Sequence, residues 1–240
     1  MSRLLLLSSS RAGSTGYLDH AKALFASFLA DHDVPVERVL FIPFAGVGKT
    51  FDTYLEQVRP AFAEIGIEVD SVHQYADAGA AVATAQAIVV GGGNTFALVK
   101  RLYDADLMEA VHARVAAGTP YIGWSAGANI AGPTLCTTND MPIVEPPSFR
   151  ALGLVPFQIN PHFYSGRVEG HNGESREERL NEYLALNREA TVVALREGTA
   201  LRREANTLEL LGALDGVVFT AQGEKVLLAG SRLDGFLTSP

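Results

Sequence analysis

The chain has 240 residues, of which 48% are hydrophobic and 19% are charged, so a sizeable core can form and a disordered protein is excluded. A formal net charge of −8 argues against general binding to nucleic acid or to an anionic membrane, because both need a basic surface. The single cysteine, Cys136, excludes an intrachain disulfide and favours a reducing, cytoplasmic location.

The first half of the chain alternates apolar runs with amphipathic segments, and no run is long enough to span a membrane. A helix is predicted after each of the first four runs, and Pro60 is expected to kink the second helix or end it early. This alternation predicts a mostly parallel central sheet with helices on both faces. The predicted strands cover residues 3–7, 36–44, 65–72, 87–90 and 121–124.

The second half is less regular. A proline-rich loop is predicted over residues 137–148 and a strand over residues 152–159. Ser175 and Glu178 have the spacing of a capping box, which predicts a helix that begins there. Short runs between residues 191 and 228 predict extra C-terminal β-strands joined by tight turns. Because no linker interrupts the sequence, we expect one α/β domain over residues 1–240.

The segment Gly123-Trp124-Ser125-Ala126-Gly127 matches the G-x-S-x-G pattern, in which a strand turns sharply into a helix and exposes a serine hydroxyl. The five-residue pattern alone is weak evidence, because a buried serine in a glycine-rich turn has the same sequence. Its position directly after an apolar run favours the nucleophile elbow, with Ser125 as the candidate nucleophile.

A serine nucleophile needs a base and an acid that orients the base. His162 is the favoured base, because it follows a predicted strand, and groups at the carboxyl ends of parallel strands gather at one edge of a sheet. His171, in a glycine-rich loop, is the rival candidate. Asp140 and Glu197 are both candidate acids, and sequence spacing does not choose between them.

The oxyanion of an acyl-transfer reaction needs two backbone donors. The amide of Ala126, directly after the serine, is one candidate, and the turn at Gly91–Gly93 can provide the other. Arg176 lies in the first turn of a predicted helix, where a cation is disfavoured unless it meets an anion. By spacing alone the simpler interpretation is that Glu174, Glu177 and Glu178 neutralise Arg176 at the surface.

Six segments follow one another along the chain: FIPFAG (41–46), VGGGNTF (90–96), YIGWSAGAN (121–129), TTNDMPIV (137–144), QINPHF (158–163) and GESRE (173–177). In this order they resemble serine peptidase family S51. The resemblance runs through most of the chain, and the stretch from about residue 200 on has no matching segment.

The resemblance implies a fold like that of class I glutamine amidotransferases and the hydrolysis of dipeptides with N-terminal aspartate. By position it implies that Ser125 is the nucleophile, His162 the base and Glu197 the acid, with Asp140 as an alternative or supporting acid. It further implies an oxyanion hole formed by Gly93 and Ala126. It assigns the aspartyl side chain to Arg176, against the interpretation from spacing.

The expected partner is therefore a small acidic dipeptide, without nucleic acid, membrane, cofactor or metal. The histidines are scattered and no H-E-x-x-H motif or cysteine pair is present. The sequence does not set the oligomeric state, and a homodimer is compatible with it. The alternatives are a cyanophycinase-like enzyme or β-aspartyl peptidase of the same fold, a general esterase, and a non-catalytic module that binds a small anion.

Overall fold

Two β-sheets and the helices around them make up the chain in a computed structural model, which describes residues 2–30, 34–167, 169–170 and 172–237. The strands are β1 (Arg3–Leu7), β2 (Arg38–Ile42), β3 (Glu68–Ser71), β4 (Ile88–Val90), β5 (Tyr121–Trp124), β6 (Gln158–Asn160), β7 (Val192–Ala194), β8 (Ala200–Glu204), β9 (Thr207–Leu211), β10 (Gly216–Thr220) and β11 (Gly223–Leu227). The α-helices are α1 (Lys22–Ala30), α2 (Phe51–Ala63), α3 (Ala78–Thr84), α4 (Thr95–Asp104), α5 (Leu107–Ala116), α6 (Ala126–Asn129) and α7 (Arg176–Leu186).

The larger sheet has the strand order β3-β2-β4-β5-β1-β8-β9. The strands from β3 to β1 are parallel, whereas β8 and β9 run antiparallel to their neighbours. Leu4 and Leu6 pack with residues of α3, α4 and α5, while Leu5 and Leu7 pack with residues of α1 and α2 on the other face. Because both faces are covered, β1 is apolar at every position from Leu4 on. The predicted mixed α/β fold with a large central sheet is confirmed.

The smaller sheet has the order β11-β10-β7-β6, with β6 and β7 parallel and the other pairs antiparallel. The expectation that His162 and the elbow end strands of the same sheet is wrong, because His162 follows β6 and Ser125 follows β5. Apolar periodicity identifies a strand but does not reveal which strand it will pair with. The prediction therefore missed the division into two sheets.

The predicted strand over residues 152–159 is also wrong over most of its length, from residue 152 to residue 157. Leu152 N donates to Ile130 O at 2.9 Å and Leu154 N donates to Ala131 O at 2.8 Å, so this segment satisfies the carbonyls beyond the end of α6 instead of entering a sheet. Only Gln158–Asn160 of the predicted run forms a strand.

The sequence predicts one helix start correctly and one helix end incorrectly. The capping box is confirmed at α7, where Ser175 and Glu178 bond reciprocally. Of the kink or early end expected at Pro60, the early end is wrong, because α2 continues to Ala63 and places the proline in its last turn. Within the described residues, no helix is both long and apolar enough to cross a membrane.

Ser8, directly after β1, connects the two sheets. Its amide donates to Thr199 O at 2.9 Å, and its hydroxyl donates to Leu195 O at 2.8 Å. The same hydroxyl accepts a hydrogen bond from His162 N at 2.8 Å. Ser8 is fully buried, so water does not replace these bonds.

We expect Ser8→Ala to lower the free energy of unfolding by about 1–3 kcal/mol, because the substitution leaves the His162 N–H without its partner and removes one of the two hydrogen bonds that Leu195 O accepts. Ser27→Ala is the matched control, since Ser27 is exposed on α1 and its loss should change stability by less than about 0.5 kcal/mol. Urea unfolding of both variants measures the difference. Equal midpoints would show that the Ser8 hydroxyl does not hold the sheets together.

Candidate active site

Ser125 lies at the turn between β5 and α6 with φ 53° and ψ −114°, a conformation that non-glycine residues adopt only under constraint. The turn is held because Ser125 N donates to Leu7 O at 3.0 Å. A side chain at Gly123 would place its Cβ 2.4 Å from Gly127 O, and one at Gly127 would lie 2.2 Å from Val90 O. Both glycines of the motif are therefore required by close packing of the backbone.

Ser125, His162 and Glu197 form a continuous chain of hydrogen bonds. His162 Nε2 lies 2.8 Å from Ser125 Oγ, and His162 Nδ1 lies 2.7 Å from Glu197 Oε1. This geometry lets the imidazole accept the serine proton while the carboxylate fixes its tautomer. The side chains of His162 and Glu197 remain 36% and 57% exposed, so the site is open to substrate and water.

The three side chains come from the carboxyl ends of β5, β6 and β7. Because β6 and β7 are parallel neighbours, His162 and Glu197 leave the smaller sheet at the same edge. His162 has a φ of 55°, a left-handed backbone conformation, and the bond from its amide to Ser8 holds it there. Ser8 was missed in the sequence, because nothing in a short serine run distinguishes a buried bridging hydroxyl from a turn residue.

The Gly91–Gly93 turn lies directly against the serine. A Cβ at Gly92 would lie 2.9 Å from Ser125 Cβ, and a Cβ at Gly93, which has a φ of +136°, would lie 2.2 Å from Ala45 O. Among the residues that the structure describes, the amides of Gly93 and Ala126 donate to no acceptor. An oxyanion hole requires N–H donors without another acceptor, so both amides meet this requirement of the prediction.

A series of hydrogen bonds between side chains supports this turn. Trp124 Nε1 donates to Tyr17 Oη at 3.1 Å, Tyr17 donates to Tyr54 Oη at 3.2 Å, and Tyr54 donates to Gly92 O at 2.8 Å. Burial raises the pKa of Tyr17 and of Tyr54, so both phenols stay protonated at neutral pH. Since Gly92 C=O and Gly93 N–H belong to one planar peptide, Tyr54 fixes the direction of the Gly93 amide.

A cleft of about 360 Å³ opens over the serine, near the lower limit of the volumes that small-molecule sites have. The lining comes from the segment 45–49, the turn at Gly92 and Gly93, the two tyrosines, Ser125 and His162. Among the described residues, no three His, Cys, Asp or Glu side chains are grouped so that they could hold a metal ion.

Asp140 contacts α4 rather than His162. Its Oδ2 accepts from Thr95 N at 2.7 Å and from Thr95 Oγ1 at 2.6 Å, so it stabilises the N-terminus of α4. The neighbouring Asn139 Nδ2 donates to Pro161 O at 2.7 Å, which ties this loop to the residue before His162. Of the two candidate acids, the structure brings Glu197 into contact with the imidazole. His171 lies outside the described residues.

Arg176 is half-buried at the start of α7, and its guanidinium carbon lies 5.3 Å from the centroid of the Tyr164 ring. Its Nε is buried without a hydrogen-bond partner, and within the described residues Arg176 forms no ion pair. The neighbouring acids are directed elsewhere: Glu178 to Arg167, and one oxygen of Glu177 to Gly166 N. The interpretation from spacing, in which neighbouring glutamates neutralise Arg176 at the surface, is therefore not what the structure has.

The model of Peptidase family S51 matches residues 4–211 of the chain. Peptidase E of Actinobacillus pleuropneumoniae serotype 5b is 49% identical over 220 residues, which are 92% of this chain and 93% of that protein. Peptidase E of Haemophilus influenzae is 51% identical over 201 residues, which are 84% and 91% of the two chains. The crystal structure of a peptidase from an acI-B1 Actinobacterium superposes with a TM-score of 0.68 at 17% identity, covering 97% of this chain and 96% of that one.

Tyr54→Phe removes the hydroxyl that holds the Gly92–Gly93 peptide, and we expect it to lower kcat about 10-fold with little change in KM. If Gly93 N–H is an oxyanion donor, as the sequence predicts, a misdirected amide weakens that contact, and loss of one such donor altogether costs about 10²–10³ in kcat. Tyr103→Phe is the control, because Tyr103 donates to Arg150 O at 3.2 Å away from the serine. Steady-state kinetics in which both variants match the unaltered protein would contradict this role.

Proposed function

Because the chain belongs to peptidase family S51 and is a serine dipeptidase, we propose that it hydrolyses dipeptides with N-terminal aspartate through an acyl-enzyme on Ser125. The observation that supports this most directly is the unbroken line of hydrogen bonds from Ser125 through His162 to Glu197. The relatives named peptidase E, similar over nearly their whole length, support the same substrate class.

In the proposed mechanism Ser125 Oγ attacks the scissile carbonyl carbon while His162 Nε2 takes the hydroxyl proton. The amides of Gly93 and Ala126 stabilise the oxyanion. His162 then gives its proton to the leaving amine nitrogen as the C–N bond breaks, which leaves an aspartyl ester on Ser125. Water, deprotonated by His162, attacks that ester, and its cleavage releases aspartate and returns the proton to Ser125.

Substrate selection is assigned to Arg176, which would bind the aspartyl carboxylate in bidentate fashion. Its half-buried guanidinium without a carboxylate partner supports this assignment. A substrate without that carboxylate leaves the cation without compensation, and the penalty of about 1–3 kcal/mol disfavours it. Glu197 is the proposed triad acid, and Asp140 supports the site by fixing α4 behind the Gly93 turn.

Two broader assignments accompany this function. The parallel part of the larger sheet, with Ser125 directly after the central strand β5, supports a class I glutamine amidotransferase-like fold. A cytoplasmic location is supported by the single cysteine, Cys136, which is exposed as a free thiol and not packed in the core as its size would suggest. The substrate would be a free dipeptide, and a second copy of the chain is not required by the site.

The proposed function is tested with a panel of Asp-Leu, its β-linked isomer, Asn-Leu and Leu-Leu. We expect kcat/KM for Asp-Leu to exceed that for each of the others by about 10-fold or more, since each loses or misplaces the side-chain carboxylate. Ser125→Ala should lower hydrolysis at least about 10⁴-fold while the protein remains folded. Preference for the β-linked isomer would transfer the function to β-aspartyl peptides, and an active Ser125→Ala variant would remove the mechanism.

The variants Glu197→Gln and Asp140→Asn distinguish the roles of the two carboxylates. We expect the first to lower kcat about 100-fold, because an amide at this position stabilises the wrong tautomer of His162; the open site moderates the effect. The second should lower kcat less than about 10-fold and act mainly on stability, since Asp140 accepts bonds at the N-terminus of α4. The reverse order of kcat values would exchange their roles.

A further inference from the structure

Lys49 is a second cation beside Ser125, and the proposed mechanism does not use it. The lysine lies between β2 and α2, in the segment that lines the cleft next to the Gly93 turn. Ala45, at the start of that segment, accepts from Asn94 N at 2.9 Å, so the segment is fixed against the turn that the serine packs on. Lys49 therefore belongs to the wall of the cleft that holds the nucleophile.

Neutral groups hold the Lys49 ammonium in place. Its Nζ donates to Gln57 Oε1 at 2.6 Å and lies 4.5 Å from the centroid of the Tyr54 ring. Tyr54 is itself fixed by its bond to Gly92 O, so the ammonium rests on a rigid platform. A cation–π contact and an amide oxygen orient the charge without neutralising it.

The carboxylates of the same helix are directed to other partners. Asp52 Oδ1 pairs with His73 Nε2 at 3.0 Å, and Glu56 pairs with Arg59. Within the described residues Lys49 forms no ion pair, although the chain has an excess of acidic groups. A positive charge kept free of carboxylates in a cleft of this size is suited to an anionic group of a small ligand.

An Asp-Xaa dipeptide has two carboxylates, and Arg176 is assigned to only one of them. Arg176 packs on Tyr164, which follows His162 by two residues, whereas Lys49 packs on Tyr54 beside Gly92. The two cations thus come from different segments of the chain, one packed on the residues that follow His162 and the other beside the Gly92 turn. In a dipeptide the second carboxylate is one residue beyond the scissile bond, where any longer peptide has a neutral amide.

We propose that Lys49 forms a subsite for the free C-terminal carboxylate of the substrate, which makes the enzyme select dipeptides over longer or blocked peptides. This inference rests on the proposed function. Lys49 would thus select the length of the peptide, while Arg176 would select its first residue. The bond would be charge-assisted but partly exposed, so its effect should be near the lower limit for such contacts.

The test compares Asp-Leu with its C-terminal amide, which keeps the aspartyl side chain and the scissile bond. For the unaltered enzyme we expect kcat/KM for the acid to exceed that for the amide about 10-fold. Lys49→Met should remove most of this preference by slowing the acid, while hydrolysis of the amide stays within about twofold and shows that the variant is folded. Lys49→Arg should keep the preference, because the charge is retained.

Arg11→Met is the matched control, because Arg11 is an exposed cation next to Ser10 at the cleft but does not itself line it. It should leave the ratio of acid to amide unchanged. Arg176→Met should slow both compounds together. Equal rates for acid and amide in the unaltered enzyme, or an equal loss of both in Lys49→Met, would overturn the subsite alone. Failure of the unaltered enzyme to cleave either compound would overturn the proposed function and the subsite with it.

Discussion

The end of β1 is the constraint on which the site depends. Leu7 O accepts the amide of Ser125, Ser8 Oγ bridges His162 N and Leu195 O, and Ser9 Oγ accepts from Gly198 N. The segments that carry the proposed nucleophile, base and acid therefore all bond to three consecutive residues. Because these segments come from two different sheets, relative movement of the sheets would separate them without this connection. Preorganisation of the site is thus a property of one strand end in the buried core, and not of the loops that display the side chains.

Close packing of the backbone also positions the site, because the two glycine-rich turns lie directly against each other. Gly92 lies against Ser125, and Gly127 lies against Val90 O at the end of the strand that leads into the Gly93 turn. Ser125 and His162 both have positive φ angles, and such conformations cost about 1–3 kcal/mol each. The bonds at the end of β1 offset that cost. The proposed nucleophile and base therefore keep backbone conformations that these residues would not adopt without those bonds.

What the sequence could reveal depended on whether a feature was local. The run Leu4–Leu7, the capping box at Ser175 and the sharp strand-to-helix turn at Ser125 are encoded within a few residues, and the structure has each of them. The pairing of β6 with β7 in a separate sheet depends on contacts between distant segments, which periodicity does not encode. Ser8 and Tyr54 were missed for the same reason, because their partners lie 154 and 38 residues away. The Asp140 side chain could be placed only when its contact with Thr95 was visible.

The net charge of −8 opposes the binding of the proposed substrate, which has two carboxylates. Screening limits the opposing field to about 8 Å at physiological ionic strength, so the charges next to the cleft decide binding. Both cations near the site rest on tyrosine rings, Arg176 on Tyr164 and Lys49 on Tyr54. A carboxylate partner would fix these side chains equally well but would cancel their charge. An aromatic face orients the cation and leaves its charge available, so an acidic surface can surround a cleft that attracts anions.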